Sequence, residues 1–286
     1  MRVLFFGDVV GRPGLDLLKA ALPELLEAYR PTFVVANGEN LELFFPPGGT
    51  LEAHLSDLEE LVRMGVDAFT GGNHSFDPPW APQALAHPRV LRPHNAGPHA
   101  PGRGVVRLRK GGEELLLVNL AGRSALPWIV EEPFVSLERI LEAEGYPPTL
   151  VDLHSESVFE KMGVAYMFAG RVGALLGTHT HVPTTDARIL PGGTAYVSDV
   201  GMVGPDGGMQ GYRPELLVER LRSRRPFLAP QGASPYAEGP LRLSFVLVDL
   251  EGPRARGILH ESHIQDPAPQ TGTESGAPRG PGAPRS

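Results

Sequence analysis

The chain of 286 residues contains no cysteine. Disulfides and thiolate metal sites are thereby excluded, and any metal must be held by His, Asp, Glu, Asn or water. Such donors suit hard or borderline ions such as Mn, Fe, Zn or Mg. Lysine is scarce, with 3 residues against 23 arginines, and no Lys/Arg run occurs. The net charge is −7, with a pI near 5.8. Long nucleic acid and anionic membrane surfaces attract a basic face, so both are disfavoured as partners. A small anionic substrate stays open, because a bound metal reverses local charge. Long apolar runs are missing too. The opening MRVLFFGDVVG meets Asp8 too soon for a signal peptide, and no stretch reaches membrane-spanning length. The expected location is the cytoplasm.

What is present is a globular composition, 41% hydrophobic and 21% charged. The length allows one large domain or two small ones. Residues 3–7 (VLFFG) read as a buried strand ending at Asp8. Leu15, Leu18, Leu22, Leu25 and Leu26 follow at helical spacing, with Pro23 expected to kink or restart that helix. Residues 33–36 and 66–70 read as further strands, separated by an amphipathic helix over 51–64. This alternation is the pattern of parallel α/β layers.

The second half changes style. Residues 104–110 and 113–120 form an expected hairpin around Gly111 and Gly112. A short helix over 137–144, a strand over 149–153, a helix over 157–169 and a strand over 173–177 follow. Residues 188–190 and 194–198 suggest another hairpin, and 241–250 pairs with 257–264. Two sheets packed together with helices outside are expected. Residues 265–286, rich in Pro, Gly, Ser and Thr, read as a disordered tail after a domain over 1–264.

Polar groups gather at the strand ends: Asp8; Glu39 with Asn40; Asn73 with His74; His154; and His179 with His181. Singly, each has an ordinary reading as a cap, a turn or a solvated residue. Together they are the right donor types for two metals, because α/β sheets bring the carboxyl ends of their strands to one rim. Two ions ~3.5–4 Å apart need a bridging ligand, and the Glu39 carboxylate is the candidate. In an extended strand, positions i and i+2 share a face, so the His179-Thr180-His181 pair can give one imidazole to each ion. His54, His87, His260 and His263 are read as surface or packing residues.

The segments GDVVG, NGEN, GGNH, DLHSESVFEK and GTHTHVPTTDARILPGGTAYVSDVGM resemble the metallophosphoesterase superfamily. More closely they resemble its YmdB-like branch, the 2′,3′-cyclic-nucleotide 2′-phosphodiesterases, from residue 1 to about residue 265. The resemblance implies a four-layer α/β/β/α sandwich of two mixed sheets. It implies that Asp8, Glu39, Asn40 and His181 hold one metal, while Glu39, Asn73, His154 and His179 hold the second. Fe or Mn come first as the ions, with Zn or Mg as alternatives. His74 is implied as the proton donor. Most metallophosphoesterases carry Asp-x-His at the first motif, whereas this chain has Asp8-Val9-Val10 and, like the branch, Asn40. The bulky segment 41–47 (LELFFPP) departs from the branch's small-residue loop and bears on substrate access. Arg92 and Asn95, with His94 between them in LRPHNAG, are candidate contacts to a phosphate or base, and Arg123 reads as structural.

The implied reaction is hydrolysis of 2′,3′-cyclic nucleotides to 3′-nucleotides. A metal-bridging hydroxide attacks phosphorus, and His74 protonates the leaving 2′-oxygen. Two rivals are kept. One is a phosphomonoesterase or 3′,5′-cyclic nucleotide phosphodiesterase at the same site. The other is a metal-stabilised regulatory or scaffold protein with incidental catalysis, against which the presence of His74 argues. The expected partner is a small phosphate ester, with neither long nucleic acid nor membrane. Self-association into homo-oligomers is compatible with the family.

Overall fold

The computed structural model describes residues 1–41, 49–124, 130–224 and 234–266. Most of segment 41–47 and most of the tail lie outside these.

The described residues form two sheets of six strands. The first contains β1 (Arg2–Val9), β2 (Phe33–Asn37), β3 (Ala68–Thr70), β10 (Met202–Pro205), β11 (Leu241–Glu251) and β12 (Arg254–Gln265), in the order β12-β11-β10-β1-β2-β3. The second contains β4 (Val105–Lys110), β5 (Glu113–Ala121), β6 (Thr149–His154), β7 (Ala174–Thr178), β8 (Arg188–Leu190) and β9 (Thr194–Val197), in the order β4-β5-β6-β7-β9-β8. Both sheets are mixed: β1, β2 and β3 run parallel, as do β5, β6, β7 and β9, while β11 and β12 pair antiparallel, as do β4 and β5.

Side-chain alternation along each strand explains the layering. Val3 and Phe5 of β1 join Phe33, Val35, Leu115, Leu117, Leu150, Leu176 and Val246 in a core between the sheets. Their neighbours Leu4 and Phe6 face the other way. They pack with Val34 and Ala36 against Leu15, Leu18 and Leu22 of α1 (Gly11–Tyr29) and Leu58 and Leu61 of α2 (Leu51–Met64). On the far side, Leu116, Val118, Val151 and Leu153 pack under Leu137 and Leu141 of α4 (Pro133–Glu144) and Val164 and Phe168 at α5 (Val158–Met167). Strands buried on both faces have few polar positions, which is why their sequences read as continuous apolar runs. The result is the α/β/β/α sandwich the sequence led us to expect.

Two short helices, α3 (Ala81–Leu85) and α6 (Pro214–Ser223), complete the described elements, with a 3₁₀ turn over His94–Ala96. Strand β10 and helix α6 were not anticipated. Helix α1 runs without a break through Pro23, so the expected restart does not occur. Burial of Leu18 and Leu22 on either side of the missing hydrogen bond holds the helix together.

Candidate metal centre

The five strand ends named from sequence meet at one rim. Asp8 sits near the end of β1, where the pairing with β2 shifts register between Phe6 and Asp8. Such an irregularity re-aims a side chain beside a site. Glu39 and Asn40 follow β2, Asn73 and His74 follow β3, His154 closes β6, and His179 and His181 follow β7. The first three segments belong to one sheet and the last two to the other. Face-to-face packing of the sheets brings their carboxyl ends into a common rim.

The donors are withdrawn from water. Asp8 and His154 are fully buried, and Glu39, Asn40, Asn73 and His181 nearly so. Three ligand-capable atoms converge on His154 Nε2: Glu39 Oε2 at 3.1 Å, Asn73 Oδ1 at 3.0 Å and His179 Nδ1 at 3.0 Å. The other face of the ring fixes what this means. Thr178 Oγ1 donates its only hydrogen to Asp152 Oδ1 at 2.7 Å, so it accepts from His154 Nδ1 at 2.9 Å. In the neutral ring the proton therefore lies on Nδ1, and Nε2 presents a lone pair to the cluster. Lone pairs gathered about one point fit a cation better than they fit one another.

A second group forms beside the first. His181 Nδ1 donates to the Gln210 carbonyl at 2.9 Å, which turns Nε2 toward Asn40 at 3.1 Å and Asp8 Oδ1 at 4.0 Å. Asp8 Oδ2 accepts from the His179 amide at 3.1 Å, whereas Oδ1 is buried with no hydrogen-bond partner among the described residues. An unsatisfied buried carboxylate oxygen is costly, and a cation at that point relieves it. Ligand atoms of Glu39, His154 and His179 lie within 4.8 Å of one another, and so do those of Asp8, Glu39 and His181. Glu39 belongs to both groups, and each group takes one histidine of the His-x-His pair. The donor set fits metal ions. Asn40 points its amide nitrogen at Glu39 Oε1, 3.0 Å away. A half-turn of the amide would bring Oδ1 to the cluster and leave nitrogen facing the Tyr212 hydroxyl.

The backbone of the pair differs from the expectation. The histidines lie beyond β7, with φ of 105° at His179 and 64° at His181. They converge through left-handed backbone, and the pleat of a strand plays no part. Non-glycine residues held there carry strain that surrounding bonds must offset.

Charge follows the same geometry. Burial pushes the Asp8 carboxyl well above the usual range, against the pull of His154. Burial also opposes protonation of His154, but the Glu39 and Asp8 carboxylates outweigh it and raise its pKa to about 9. A second ring proton and a metal ion thus compete for the same Nε2. Burial and the neighbouring His154 charge lower His179 to about 3, and burial lowers His181. Both are neutral imidazoles near pH 7, the form that ligates.

His74 stands at the mouth, its side chain 31% exposed. Its amide donates to Glu39 Oε2 at 3.3 Å, and its Nδ1 lies 3.3 Å from Asp77 Oδ2. Arg92 and Asn95 are placed differently from the expectation. All five Arg92 N–H donors go to the carbonyls of Pro93, His94, Gly97, Ala100 and Pro101. The Asn95 amide is spent on Ala121 and on the Glu131 carbonyl. Both shape the loop, which leaves Arg92 no donor for phosphate. Arg123 pairs with Glu132, consistent with its structural reading. His54 is a packing residue, its ring 5.0 Å from that of Trp80. Sequence reasoning did not reach Asp152, Thr178, Glu156 or Gln210. Glu156 Oε2 lies 3.2 Å from His179 Nε2 and orients that ring. Gln210 acts through its carbonyl, which carries no side-chain signal.

Two mixed sheets with buried carboxylate, amide and imidazole donors at their joined rim define the metallophosphoesterase class. Within it, the chain matches the YmdB-like protein family over residues 4–258 and belongs to that family. It is 36% identical over 269 residues to the 2′,3′-cyclic-nucleotide 2′-phosphodiesterase of Bacillus subtilis, covering 91% of this chain and 96% of that protein. A crystal structure of a hypothetical protein from Thermus thermophilus superposes with a TM-score of 0.80 at 38% identity, covering 93% of this chain and 99% of that one. A crystal structure described as a novel phosphatase from Mycoplasma pneumoniae gives 0.79 at 27% identity, covering 93% and 94%.

Proposed function

We propose that the protein is a dinuclear metal-dependent phosphodiesterase that opens 2′,3′-cyclic nucleotides to 3′-nucleotides. The observation that carries this reading is the pair of donor groups sharing Glu39, with the orphaned Asp8 oxygen in one of them. Family membership supports phosphoester hydrolysis, and the Bacillus subtilis relative supports the cyclic substrate.

Asp8, Glu39, Asn40 and His181 would hold one ion, and Glu39, Asn73, His154 and His179 the other. Fe or Mn suit these donors best, with Zn or Mg next. When bound, the ions supply Lewis acidity, which lowers the pKa of water and neutralises phosphoryl oxygens. The chain's residues do the rest. Thr178 and Gln210 hold the His154 and His181 tautomers with the ligating nitrogen inward. Glu156 orients His179. Asp77 holds His74 at Nδ1, so the protonated ring can give its Nε2 proton to the leaving 2′-oxygen. General-acid help of this kind is worth ~10²–10⁴-fold.

The test is product identification. Mn-loaded protein incubated with 2′,3′-cyclic AMP should give 3′-AMP, and Asp8→Ala should abolish it. His74→Ala should lower turnover by ~10²-fold or more while both metals stay bound. Dominant 2′-AMP would overturn the leaving-group assignment. Turnover confined to phosphomonoesters or 3′,5′-cyclic AMP would move the site to another ester. Full metal loading with no turnover on any ester would favour the regulatory reading.

A further inference from the structure

Lys161 is one of only three lysines in the chain, and it is fully buried. It lies in the first turn of α5, the helix that follows β6 and His154, with a hydrophobic core against that helix. Its side chain runs beneath β7 so closely that a Cβ at Gly177 would stand 2.8 Å from Lys161 Cδ. Its ammonium reaches Asp199 Oδ2 at 3.0 Å, and Asp199 is only 1% exposed. Burying such a pair costs several kcal/mol per ion, and an apolar pair of equal volume often serves stability as well. Stability alone therefore gives a weak account of it.

The rest of the Asp199 carboxylate shows what the pair touches. Oδ2 also accepts the amide of Thr180 at 3.0 Å, and Oδ1 accepts the amide of Gly201 at 2.9 Å. Thr180 is the residue between His179 and His181, both in left-handed backbone. The carbonyl of Gly201 in turn accepts the amide of Asp8 at 3.1 Å. One carboxylate, fixed by one lysine, thus ties down the turn that aims two imidazoles and the segment beside a third donor. Bonds from a rigid charged anchor are what a strained turn needs to persist.

We propose that Lys161 and Asp199 are positioning residues that lock the His179-Thr180-His181 turn for metal binding. The inference rests on the dinuclear reading above, and it assigns the pair no contact with substrate. Lysine supplies a compact point charge with three donors at the end of a flexible stem, which fits the narrow space under Gly177.

The test is Mn(II) affinity, read by EPR of the free ion during titration, with folding followed by circular dichroism. The main variant is the neutral double substitution Lys161→Met with Asp199→Asn, which leaves no unpaired buried charge. A milder one pairs Lys161→Gln with Asp199→Asn, which also leaves no unpaired buried charge but keeps a side-chain hydrogen-bond donor beside residue 199. The double variant should fold and bind Mn(II) about 10–100-fold more weakly than the wild type, the range seen for residues that support metal ligands. The Gln–Asn variant should fall between the two. Affinity within about twofold of the wild type in a folded double variant would overturn the inference, whatever the change in thermal midpoint, because supporting residues of this kind cost more than that. Failure of both variants to fold would overturn it too, by assigning the pair to the core. A wild-type protein that took up no Mn(II) at all would instead sink the dinuclear reading, and this inference with it.

Discussion

A methyl group at residue 72 would stand 1.9 Å from Glu39 Oε2 and 2.3 Å from His154 Nε2. These atoms belong to the shared carboxylate and to a ring locked by Thr178, so neither can retreat without leaving its group. Gly72→Ala is therefore expected to fold and to lose metal, read as ions per chain by elemental analysis. Two ions per chain in the folded variant would show that the cluster accommodates a shift of more than an ångström. Ligand types at this scale were legible from the sequence, because Asp, Glu, Asn and His at strand ends have few other reasons to gather. Their geometry was less so. The His-x-His spacing suggested a pleat, but left-handed backbone at both histidines does the aiming. Arg92 shows the opposite error. A cation near the motifs suggested phosphate, whereas five carbonyls claim every donor, and nothing in LRPHNAG discloses that.

Elements follow the same division. Strands buried on both faces, such as β1 and β6, were plain as short apolar runs ending in polar residues. Strand β10 has only four residues, with Gly204 and Pro205 among them, and it is recognised through its pairing with β1 and β11. Helix α6 contains no fully buried residue, so it leaves no apolar stripe to read. Helix α1 carries a testable cost. Pro23 is an exposed interior residue that deprives Lys19 of its backbone donor. Interior proline costs ~3 kcal/mol, offset in part by ~0.4–1 kcal/mol from the stiffer unfolded chain. Pro23→Ala should thus stabilise the protein by about 2 kcal/mol, seen as a higher urea midpoint at an unchanged slope. No change in midpoint would mean that the helix already bends to accommodate the ring.

Global stability also has an acid limb set at some distance from the donors. Burial holds His54 down to about 4, against the pull of Asp57. Its unfolded value is near 6.5. Above about 6.5 the ring is neutral in both states and imposes no penalty. As pH falls from about 6.5 to about 4, the unfolded chain takes a proton that the folded one refuses, so stability declines. The loss totals about 3 kcal/mol, at about 1.4 kcal/mol per pH unit, and levels off below about 4. His54→Phe keeps a ring beside Trp80 and removes the proton. The difference between variant and wild-type unfolding free energies should therefore grow across that window. A constant difference would show that His54 protonates without penalty in the folded state.

Across the whole molecule, the two sheets share a core whose rim buries Asp8 with one carboxylate oxygen that has no hydrogen-bond partner among the described residues. A cation at that rim would relieve the unpartnered oxygen, so the proposed metal binding predicts a thermodynamic link between fold and site. Ligand at roughly a hundredfold excess over its dissociation constant adds ~2.7 kcal/mol of stability per site. For a chain of this size, 1 kcal/mol corresponds to ~2–4 °C in the thermal midpoint. Chelation should consequently lower the midpoint by about 5–10 °C for each site emptied, and added Mn(II) should restore it. Asp8→Ala sharpens the argument. Its removal takes away a buried carboxylate with an unsatisfied oxygen, so in chelator the variant should melt at or above the wild type. With metal present the order should reverse, because the variant has lost a ligand and gains less. Midpoints that keep the same order in both conditions would mean that Asp8 serves the fold and not the metals.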